Sequence, residues 1–179
     1  VKYLNTIGNQ SISVIDNDRA GTTFSIFDAA EANPPAVPDG VQIQFVSDST
    51  TVLDATVSGG SMLLETTIAF SHAQISNQST AYQSDIAISD VIAQLKDIVG
   101  LTSLSGNSAA AADVNNDSEI AIADVIANLK HIVGLETITS FDVLDTSGNV
   151  VTELSTASVD TNLYLVQNGD VDLSGTFII

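Results

Sequence analysis

The sequence contains no cysteine and no tryptophan, and only 4 of its 179 residues are lysine or arginine. Without cysteine, the chain forms no disulfide, holds no metal through thiolates and has no thiol nucleophile. Its 22 acidic residues leave it without the cationic surface that nucleic-acid binders and peripheral membrane anchors use to contact phosphates. The most apolar stretches are interrupted by Asp90 and Asp124, so no run is long enough to span a bilayer. These absences argue against nucleic-acid and membrane partners.

The remaining composition is typical of a folded module. Hydrophobic residues make up 44% of the sequence and charged residues 15%, which is too apolar for a disordered chain. Aspartate outnumbers glutamate by 17 to 5, as in extracellular proteins that rely on Ca²⁺ instead of disulfides, although halophilic adaptation gives the same bias. The first ten residues, VKYLNTIGNQ, lack the layout of a signal peptide. We therefore expect a mature or excised fragment, or export through another signal.

Strand-like runs flank a helical segment. Before about residue 78, apolar and β-branched runs alternate with turns: SISVI, TTFSIF, VQIQF, TTVLDATV and SMLLETTIAF. After residue 138, FDVLDTSGNVVTEL predicts a hairpin with an SGN turn, and TNLYLVQNGD and TFII follow. The prediction is an α+β protein, in which residues 1–78 and 138–179 form an antiparallel β-sandwich and residues 79–137 form an inserted helix pair.

The helical segment is an internal repeat. DIAISDVIAQLKDIVGL, residues 85–101, aligns with EIAIADVIANLKHIVGL, residues 119–135, at an offset of 34 with 13 of 17 positions identical. Apolar residues at three- and four-residue steps predict two helices, residues 90–99 and 124–133, each ended by a glycine. The repeated apolar residues are Val91, Leu95 and Ile98 in the first copy and Val125, Leu129 and Ile132 in the second. We expect these two apolar faces to pack against each other.

The second copy is preceded by DVNNDSEIAIAD, residues 113–124, which has the spacing of a twelve-residue calcium loop. A hard divalent cation needs six or more oxygens, and alternate residues of a tight loop can all point inward. The predicted ligands are the side chains of Asp113, Asn115, Asp117 and Asp124 and the backbone carbonyl of Glu119, with a water at Ala121. Ser118 stands at the sixth position, where glycine is usual because the chain turns sharply.

In the first copy, the loop positions hold other residues. Ser79, Ala81 and Gln83 replace the first three ligands and only Asp90 remains, so we interpret this half as a metal-free structural partner. A second candidate site lies in NGDVDLSG, where Asp170, Asp172 and Ser174 repeat the first, third and fifth positions. Calcium there would need a carboxylate from elsewhere, for which the inserted segment is one source. A weaker candidate is IDNDRAG, with Asp16 and Asp18.

DVNNDSEIAIADVIANLKHIVGL resembles the loop and helix of dockerins, which are pairs of EF-hand-type repeats, including the aspartate at the closing position. The resemblance covers about a third of the chain and implies a Ca²⁺-dependent fold. Dockerins bind cohesins through polar residues late in the loop and basic residues along the helix. Here those loop positions hold Ile88-Ser89 and Ile122-Ala123, which departs from that pattern. The flanking strands and LYLVQNGDVDLSG resemble dockerin-type modules of calcium-rich bacterial surface proteins and adhesins exported by type I secretion.

Catalytic motifs are not apparent. The two histidines, His72 and His131, lie in no nucleophile or metal signature, and His131 is expected on the helix surface. The sequence therefore predicts a non-enzymatic, calcium-stabilised extracellular module that self-associates or binds another surface protein. One route to a filament or surface layer is strand addition by residues 1–15 to a neighbouring sheet edge. The alternative is a docking module that binds a cohesin-like partner. An exposed apolar helix face would favour docking, and a sheet edge filled by another chain would favour assembly.

Overall fold

The computed structural model describes residues 21–29, 34–76, 81–158 and 161–178, and within these ranges the chain is mostly β. The predicted strand at residues 11–15 and the candidate ligands Asp16 and Asp18 lie outside them. The strands are β1 (Thr22–Asp28), β2 (Gln42–Ser47), β3 (Thr50–Thr56), β4 (Ser61–Leu64), β5 (Ile68–Ala69), β6 (His72–Ile75), β7 (Tyr82–Gln83), β8 (Ser140–Leu144), β9 (Glu153–Leu154), β10 (Asn162–Gln167) and β11 (Thr176–Phe177). The helices are α1 (Ile88–Ile98), α2 (Asn107–Ala112) and α3 (Ile122–Ile132).

Seven strands form one mixed sheet in the order β3-β2-β6-β8-β10-β1-β4. Strand β10 lies parallel to β1, and the other neighbouring pairs are antiparallel. The prediction of an antiparallel arrangement is therefore wrong for this pair, which lies far apart in sequence and has no hairpin to fix its direction. Two short ladders, β5 with β9 and β7 with β11, lie outside this sheet.

The two outermost strands of the sheet, β3 and β4, are joined by a tight turn. Ser58 and Ser61 exchange backbone hydrogen bonds of 2.9 and 3.2 Å. Gly59 and Gly60 between them have φ of 59° and 68°, values that glycine adopts without steric cost. Because these strands are at opposite ends of the strand order, the turn brings the edges together and nearly closes the sheet.

Alternating side chains from the strands fill the core, as VQIQF illustrates. In β2, Ile43 and Phe45 are fully buried while Gln42 is exposed and Gln44 is half-buried. Because successive side chains of a strand point to opposite faces, this alternation places one face of β2 in the core. Phe45 packs edge-on against Phe70 with ring centroids 4.9 Å apart.

Helices α1 and α3 begin two residues earlier than predicted, and they start and end in the same way. In each, the aspartate of the first turn accepts a hydrogen bond from the backbone N–H of the residue that precedes the helix. Each is followed by a glycine with φ of 72°, Gly100 or Gly134, the usual left-handed helix stop. The short helix α2 was not predicted. No helix within the described ranges is long and apolar enough to cross a membrane.

Helices α1 and α3 lie against each other, as predicted, but not through all of the predicted apolar residues. Ile98 and Ile132 are half-buried. Val91 and Val125 are buried, but Leu95 and Leu129 are each 38% exposed. Polar side chains occupy much of the buried side of each helix, namely Asp90 and Gln94 in α1 and Asp124 and Asn128 in α3. Much of the aliphatic surface of the helices consequently faces solvent.

Candidate metal centre

The first candidate site, site A, is the loop at residues 113–124 that joins α2 to α3. Asp113, at its first position, accepts backbone hydrogen bonds on both carboxylate oxygens. The N–H of Asp117 lies 3.1 Å from Oδ1, and that of Ser118 lies 2.8 Å from Oδ2. These bonds wrap the chain around the carboxylate of Asp113.

Asp124 closes site A from the first turn of α3. Its Oδ1 accepts a hydrogen bond of 3.2 Å from the N–H of Asn115, and its Oδ2 accepts one of 2.8 Å from the N–H of Ala121. Asp117 lies beside Asn115, whose side-chain amide donates to Asp117 Oδ2 at 2.9 Å. The N–H of Glu119 donates to Asp117 Oδ1 at 3.0 Å. The ligands predicted from sequence thus occur together in one hydrogen-bonded loop.

A second loop, which forms part of site B, follows the end of β10. Asp170 accepts a hydrogen bond of 3.0 Å from the N–H of Ser174 on Oδ1, and one of 2.8 Å from the N–H of Gly175 on Oδ2. This loop spans residues 170–175. A carboxylate from another part of the chain lies beside its third residue.

That carboxylate is Asp90, in the first turn of α1. Its Oδ1 accepts a hydrogen bond of 2.9 Å from the N–H of Asp172, and its Oδ2 accepts one of 2.8 Å from the N–H of Ala87. The oxygens of Asp90, Asp170 and Asp172 form a group in which one ligand atom from each lies within 4.8 Å of the others. Site B is therefore assembled from residues 170–175 and residues 85–90.

Each of these four hydrogen bonds of site B has a counterpart in site A. The equivalent pairs are Asp113 and Asp170, Asn115 and Asp172, Asp117 and Ser174, Ser118 and Gly175, Ala121 and Ala87, and Asp124 and Asp90. The fourth loop position is left-handed in both, with φ of 57° at Asn116 and 59° at Leu173. Site B thus has the hydrogen-bond pattern of a twelve-residue loop. Its chain is interrupted between the sixth and the seventh position.

The seventh position of site B is occupied by Asp85. In the sequence repeat, Asp85 corresponds to Glu119, from which site A is expected to use the backbone carbonyl. The carbonyl of Asp85 accepts a hydrogen bond of 3.4 Å from the hydroxyl of Ser174, so it lies beside the loop's fifth residue. Carboxylates, a hydroxyl and a carbonyl are oxygen donors that Ca²⁺ prefers, and site B brings such donors together. Among the described residues, the one group of three acidic side chains whose ligand atoms all lie within 4.8 Å of one another is that of site B, so the carboxylates of site A lie farther apart.

Burial makes the charged form of the site B carboxylates costly. Asp90 is fully buried and Asp170 is 2% exposed. Burial raises the pKa of Asp170 to about 6, and it also raises the pKa of Asp90. The ion pair found in the described ranges joins Lys130 to Glu136 at 2.7 Å. It therefore does not neutralise any of these aspartates. A divalent cation would offset both the desolvation and the repulsion between neighbouring carboxylates.

Site B is also tied to the aromatic core. Tyr82, on β7, hydrogen-bonds through its hydroxyl to Asp170, and burial followed by the charge of Asp170 raises the pKa of its phenol. The Tyr82 ring lies 4.9 Å from both Phe141 and Phe177, measured between ring centroids. Phe177 itself belongs to β11, which pairs with β7 directly after the loop. A change at Asp170 is therefore transmitted to a tyrosine in the core.

Two buried amides connect the sites through the helices. Gln94 of α1 donates a hydrogen bond of 2.9 Å to the carbonyl of Ala112, which directly precedes the first aspartate of site A. Asn128 of α3 donates one of 3.0 Å to the carbonyl of Gly169, which directly precedes the first aspartate of site B. Asn128 also donates to Gln94 Oε1 at 3.1 Å. Each helix that leaves one site thus holds the start of the other site's loop.

A buried carboxylate links site A to the sheet. Asp142 on β8 is 1% exposed, and its Oδ1 accepts a hydrogen bond of 3.1 Å from the side chain of Asn116, at the fourth loop position. Asn168, just after β10, donates weakly to the side chain of Asn116 at 3.5 Å. Burial raises the pKa of Asp142 to about 6, although hydrogen bonds from Asn168 and Asn116 favour its charged form.

The sequence interpretation of the first repeat was incomplete. Asp90 was recognised as a surviving loop position, but its role as the closing carboxylate of site B was missed. The signal was present as the Asp-Val pairs at residues 113–114 and 170–171, which start DVNNDS and DVDLSG. Comparing these two segments would have indicated that the missing loop of the first repeat is supplied by the C-terminal segment. Ser79, at the first position of that repeat, lies outside the described residues.

The two histidines lie in ordinary structural surroundings. His131 is half-buried, and its Nδ1 accepts a hydrogen bond of 3.0 Å from the N–H of Ile138. His72 lies 2.9 Å from the hydroxyl of Ser71, but that hydroxyl donates its proton to the carbonyl of Val46. This serine is therefore not arranged as a nucleophile that His72 activates.

Comparisons of the chain with models of protein families, with curated proteins and with solved structures found no match.

Proposed function

We propose that the chain is a calcium-stabilised, non-catalytic extracellular module whose helix pair is a dockerin-like pair of EF-hand-type sites. The observation that carries the proposal is the repetition of the same four backbone hydrogen bonds around the end carboxylates of sites A and B. Two loops with this hydrogen-bond pattern, one of them built from distant segments, would supply oxygen donors for two calcium ions.

The mechanism of stabilisation is linkage between ion binding and folding. Site B requires Asp90 and the loop at residues 170–175 to be together, which occurs only in the folded chain. An ion that binds there stabilises the folded state, because the unfolded state offers no equivalent site. At the high calcium concentration outside cells, both sites would be filled, and the module would become rigid after export.

The β-sandwich belongs to the same proposal. The turn between β3 and β4 brings the edges of the seven-stranded sheet together, so that the sheet curves around a core lined by alternating side chains. Assembly by strand addition also remains part of the proposal. Its candidate strand, residues 1–15, lies outside the described residues. In this form the module would be a subunit of an adhesin, filament or surface layer.

The test is a calcium titration of the intact chain, followed by calorimetry and by tyrosine fluorescence, since the sequence has three tyrosines and no tryptophan. We expect two bound ions, with Asp113→Asn removing one and Asp170→Asn removing the other. Asp145→Asn is the matched control, because Asp145 also accepts backbone hydrogen bonds in a turn, from Ser147 and Asn149, but belongs to neither site. If no ion binds to the wild-type chain at millimolar calcium, the proposal is wrong.

A docking module is the second candidate function, and one observation favours it. Large aliphatic side chains along α1 and α3 are exposed, including Ile88 at 51% and Ile122 at 52%. Both stand at late-loop positions, where dockerins instead have the polar residues that contact cohesins, so a partner of this chain would have to be more apolar there. Binding of the monomeric chain to a cohesin-like domain, in the presence of calcium and not of a chelator, would support this candidate.

A further inference from the structure

The two helices of the repeat expose matching sets of aliphatic side chains, which we call the aliphatic face. Within each helix the three exposed aliphatic residues are separated by four and three positions, which places them along one side, and two more exposed aliphatic residues follow each helix end. The face consists of Ile88, Ile92, Leu95, Val99 and Leu101 of the first copy and Ile122, Ile126, Leu129, Val133 and Leu135 of the second. The exposed fractions of equivalent residues are 51 and 52%, 45 and 47%, 38 and 38%, 65 and 66%, and 75 and 75%.

The size of the aliphatic face is that of a protein–protein interface. Its ten residues leave on the order of 900 Å² exposed, against roughly 300–600 Å² for the largest apolar patch of a typical monomer. A stable complex of ordinary size buries about 800 Å² on each partner. The face alone therefore offers enough area for a stable dimer.

The charge distribution favours this surface as the contact between two copies. The chain carries a net charge of -18, so two copies repel each other over most approaches. In the described ranges, Lys96 and Lys130 are the lysine or arginine residues, and they lie at equivalent positions in the last turns of α1 and α3, where Lys130 pairs with Glu136. The aspartates of the same helices' first turns, Asp90 and Asp124, are fully buried. Two copies that approach through their helix pairs thus meet less negative charge at the contact than copies that approach through other surfaces.

We propose that the aliphatic face is a self-association interface, on which a second copy of the chain docks its own aliphatic face. A twofold dimer requires a self-complementary surface, and a face whose two halves are equivalent meets that requirement with aliphatic side chains opposite aliphatic side chains. The proposal deepens the proposed function, on which it rests. Calcium at sites A and B would fix the first turns of α3 and α1, through Asp124 and Asp90, and so hold the two halves of the face in place.

The test is sedimentation velocity of the full chain in calcium, from micromolar to several hundred micromolar protein. We expect a reversible dimer that tightens as salt increases, because salt screens the repulsion between acidic chains. The double variant Ile92→Gln with Ile126→Gln should weaken the dimer at least about tenfold, since the contact loses four aliphatic side chains per dimer. The matched control is Val52→Gln with Val150→Gln, which changes residues of similar exposure, 41% and 47%, outside the helix pair.

Each outcome decides the inference. A chain that stays monomeric at all concentrations overturns it, as does a dimer that the helix double variant leaves unchanged or that the control weakens equally. A monomeric chain that binds a cohesin-like domain through the helix pair supports the docking candidate instead. Calcium binding is recorded on the same samples through tyrosine fluorescence. A monomer that binds calcium contradicts only the interface, whereas the absence of calcium binding contradicts the proposed function.

Discussion

Ser118 has a left-handed backbone conformation, with φ of 73°, at the sixth position of site A. A residue with a Cβ is strained there, and glycine is not. We expect Ser118→Gly to raise the free energy of unfolding by about 0.5–1 kcal/mol, which is the relief of strain less the greater entropy of the unfolded chain. The N–H of residue 118 keeps its hydrogen bond to Asp113 in the variant.

Urea denaturation in chelator measures this gain without a contribution from bound metal. Ser147→Gly is the control, because Ser147 also lies in an acidic turn and donates its N–H to Asp145, but it has no positive φ. The Ser147→Gly variant should be less stable than wild type, because glycine raises the entropy of the unfolded chain and relieves no strain at this position. Equal changes in the two variants would contradict the role assigned to strain at residue 118.

The buried carboxyl of Asp142 makes a pH-dependent contribution to stability. Burial raises its folded-state pKa to about 6 from the ordinary value of 3.8, so the folded chain binds this proton more tightly than the unfolded chain does. Its stabilising contribution is therefore full below about pH 4 and is lost as the pH rises to about 6. Asp142→Asn removes this loss, so its stability relative to wild type should increase between pH 4 and 7, by up to about 3 kcal/mol.

Denaturation of the two proteins in chelator at a series of pH values measures the difference. The side chain of Asn116 can still donate its hydrogen bond to the side-chain oxygen of residue 142 in the variant. The comparison therefore isolates the effect of charge. A difference in stability that is constant across this range would show that Asp142 is charged in the folded chain throughout.

At the scale of elements, the amide pair Gln94 and Asn128 makes α1 and α3 a coupled unit. Asn128→Leu keeps a similar volume but removes the hydrogen bonds to Gln94 and to the carbonyl of Gly169. We expect two calcium ions to bind the wild-type chain cooperatively, because filling either site orders a helix that holds the other loop. In the variant this cooperativity should be lost, with the first binding step weakened about tenfold through the unpaired carbonyl.

Isothermal titration calorimetry separates the two binding steps. Asn149→Leu serves as the control, since Asn149 bonds to Asp145 in an exposed turn away from both sites. Cooperativity that survives Asn128→Leu would indicate that the sites communicate through another route, such as the contact of Asn116 and Asn168 with Asp142.

The elements show which features can be predicted from sequence. The helices and the loop of site A depend on residues that are close together in the chain, so their periodicity and spacing identified them. Site B was only half predicted, because the hydrogen bond from Asp172 to Asp90 joins residues 82 positions apart. Pairing of β1 with β10 and the burial of Gln94 and Asn128 likewise depend on tertiary packing, which no local pattern encodes.

At the scale of the whole molecule, site B connects the first turn of α1 to the segment that follows β10. Central strand β10 leads directly into the loop at residues 170–175, and β11 then pairs with β7 and adds Phe177 to the aromatic cluster around Tyr82. The helix pair is thus closed by a segment that comes after the last strand of the main sheet. A segment excised at residues 79–137 would lack the loop at residues 170–175 and hence half of site B.

Deletion of residues 170–179 tests this closure. We expect the shortened chain to bind one calcium ion instead of two. The calcium-dependent rise in its melting temperature should fall by about half, since each site filled at a hundredfold excess of ion contributes about 2.7 kcal/mol, or roughly 5–10 °C for a chain of this size. Its melting temperature in chelator should also fall, because Phe177 and the pairing of β11 with β7 are lost.

Removal of residues 178–179 alone is the matched control for this deletion, since it leaves the loop, β11 and Phe177 in place. Circular dichroism confirms that each shortened chain retains its β structure before ions are counted by equilibrium dialysis. Two ions bound by the chain that ends at residue 169 would place the second ion outside site B. A single ion bound there, and two bound by the control, would show that the C-terminal loop completes the first repeat. Calcium would then join segments 82 residues apart, where Asp172 meets Asp90, and the whole sheet would depend on the ion for part of its stability.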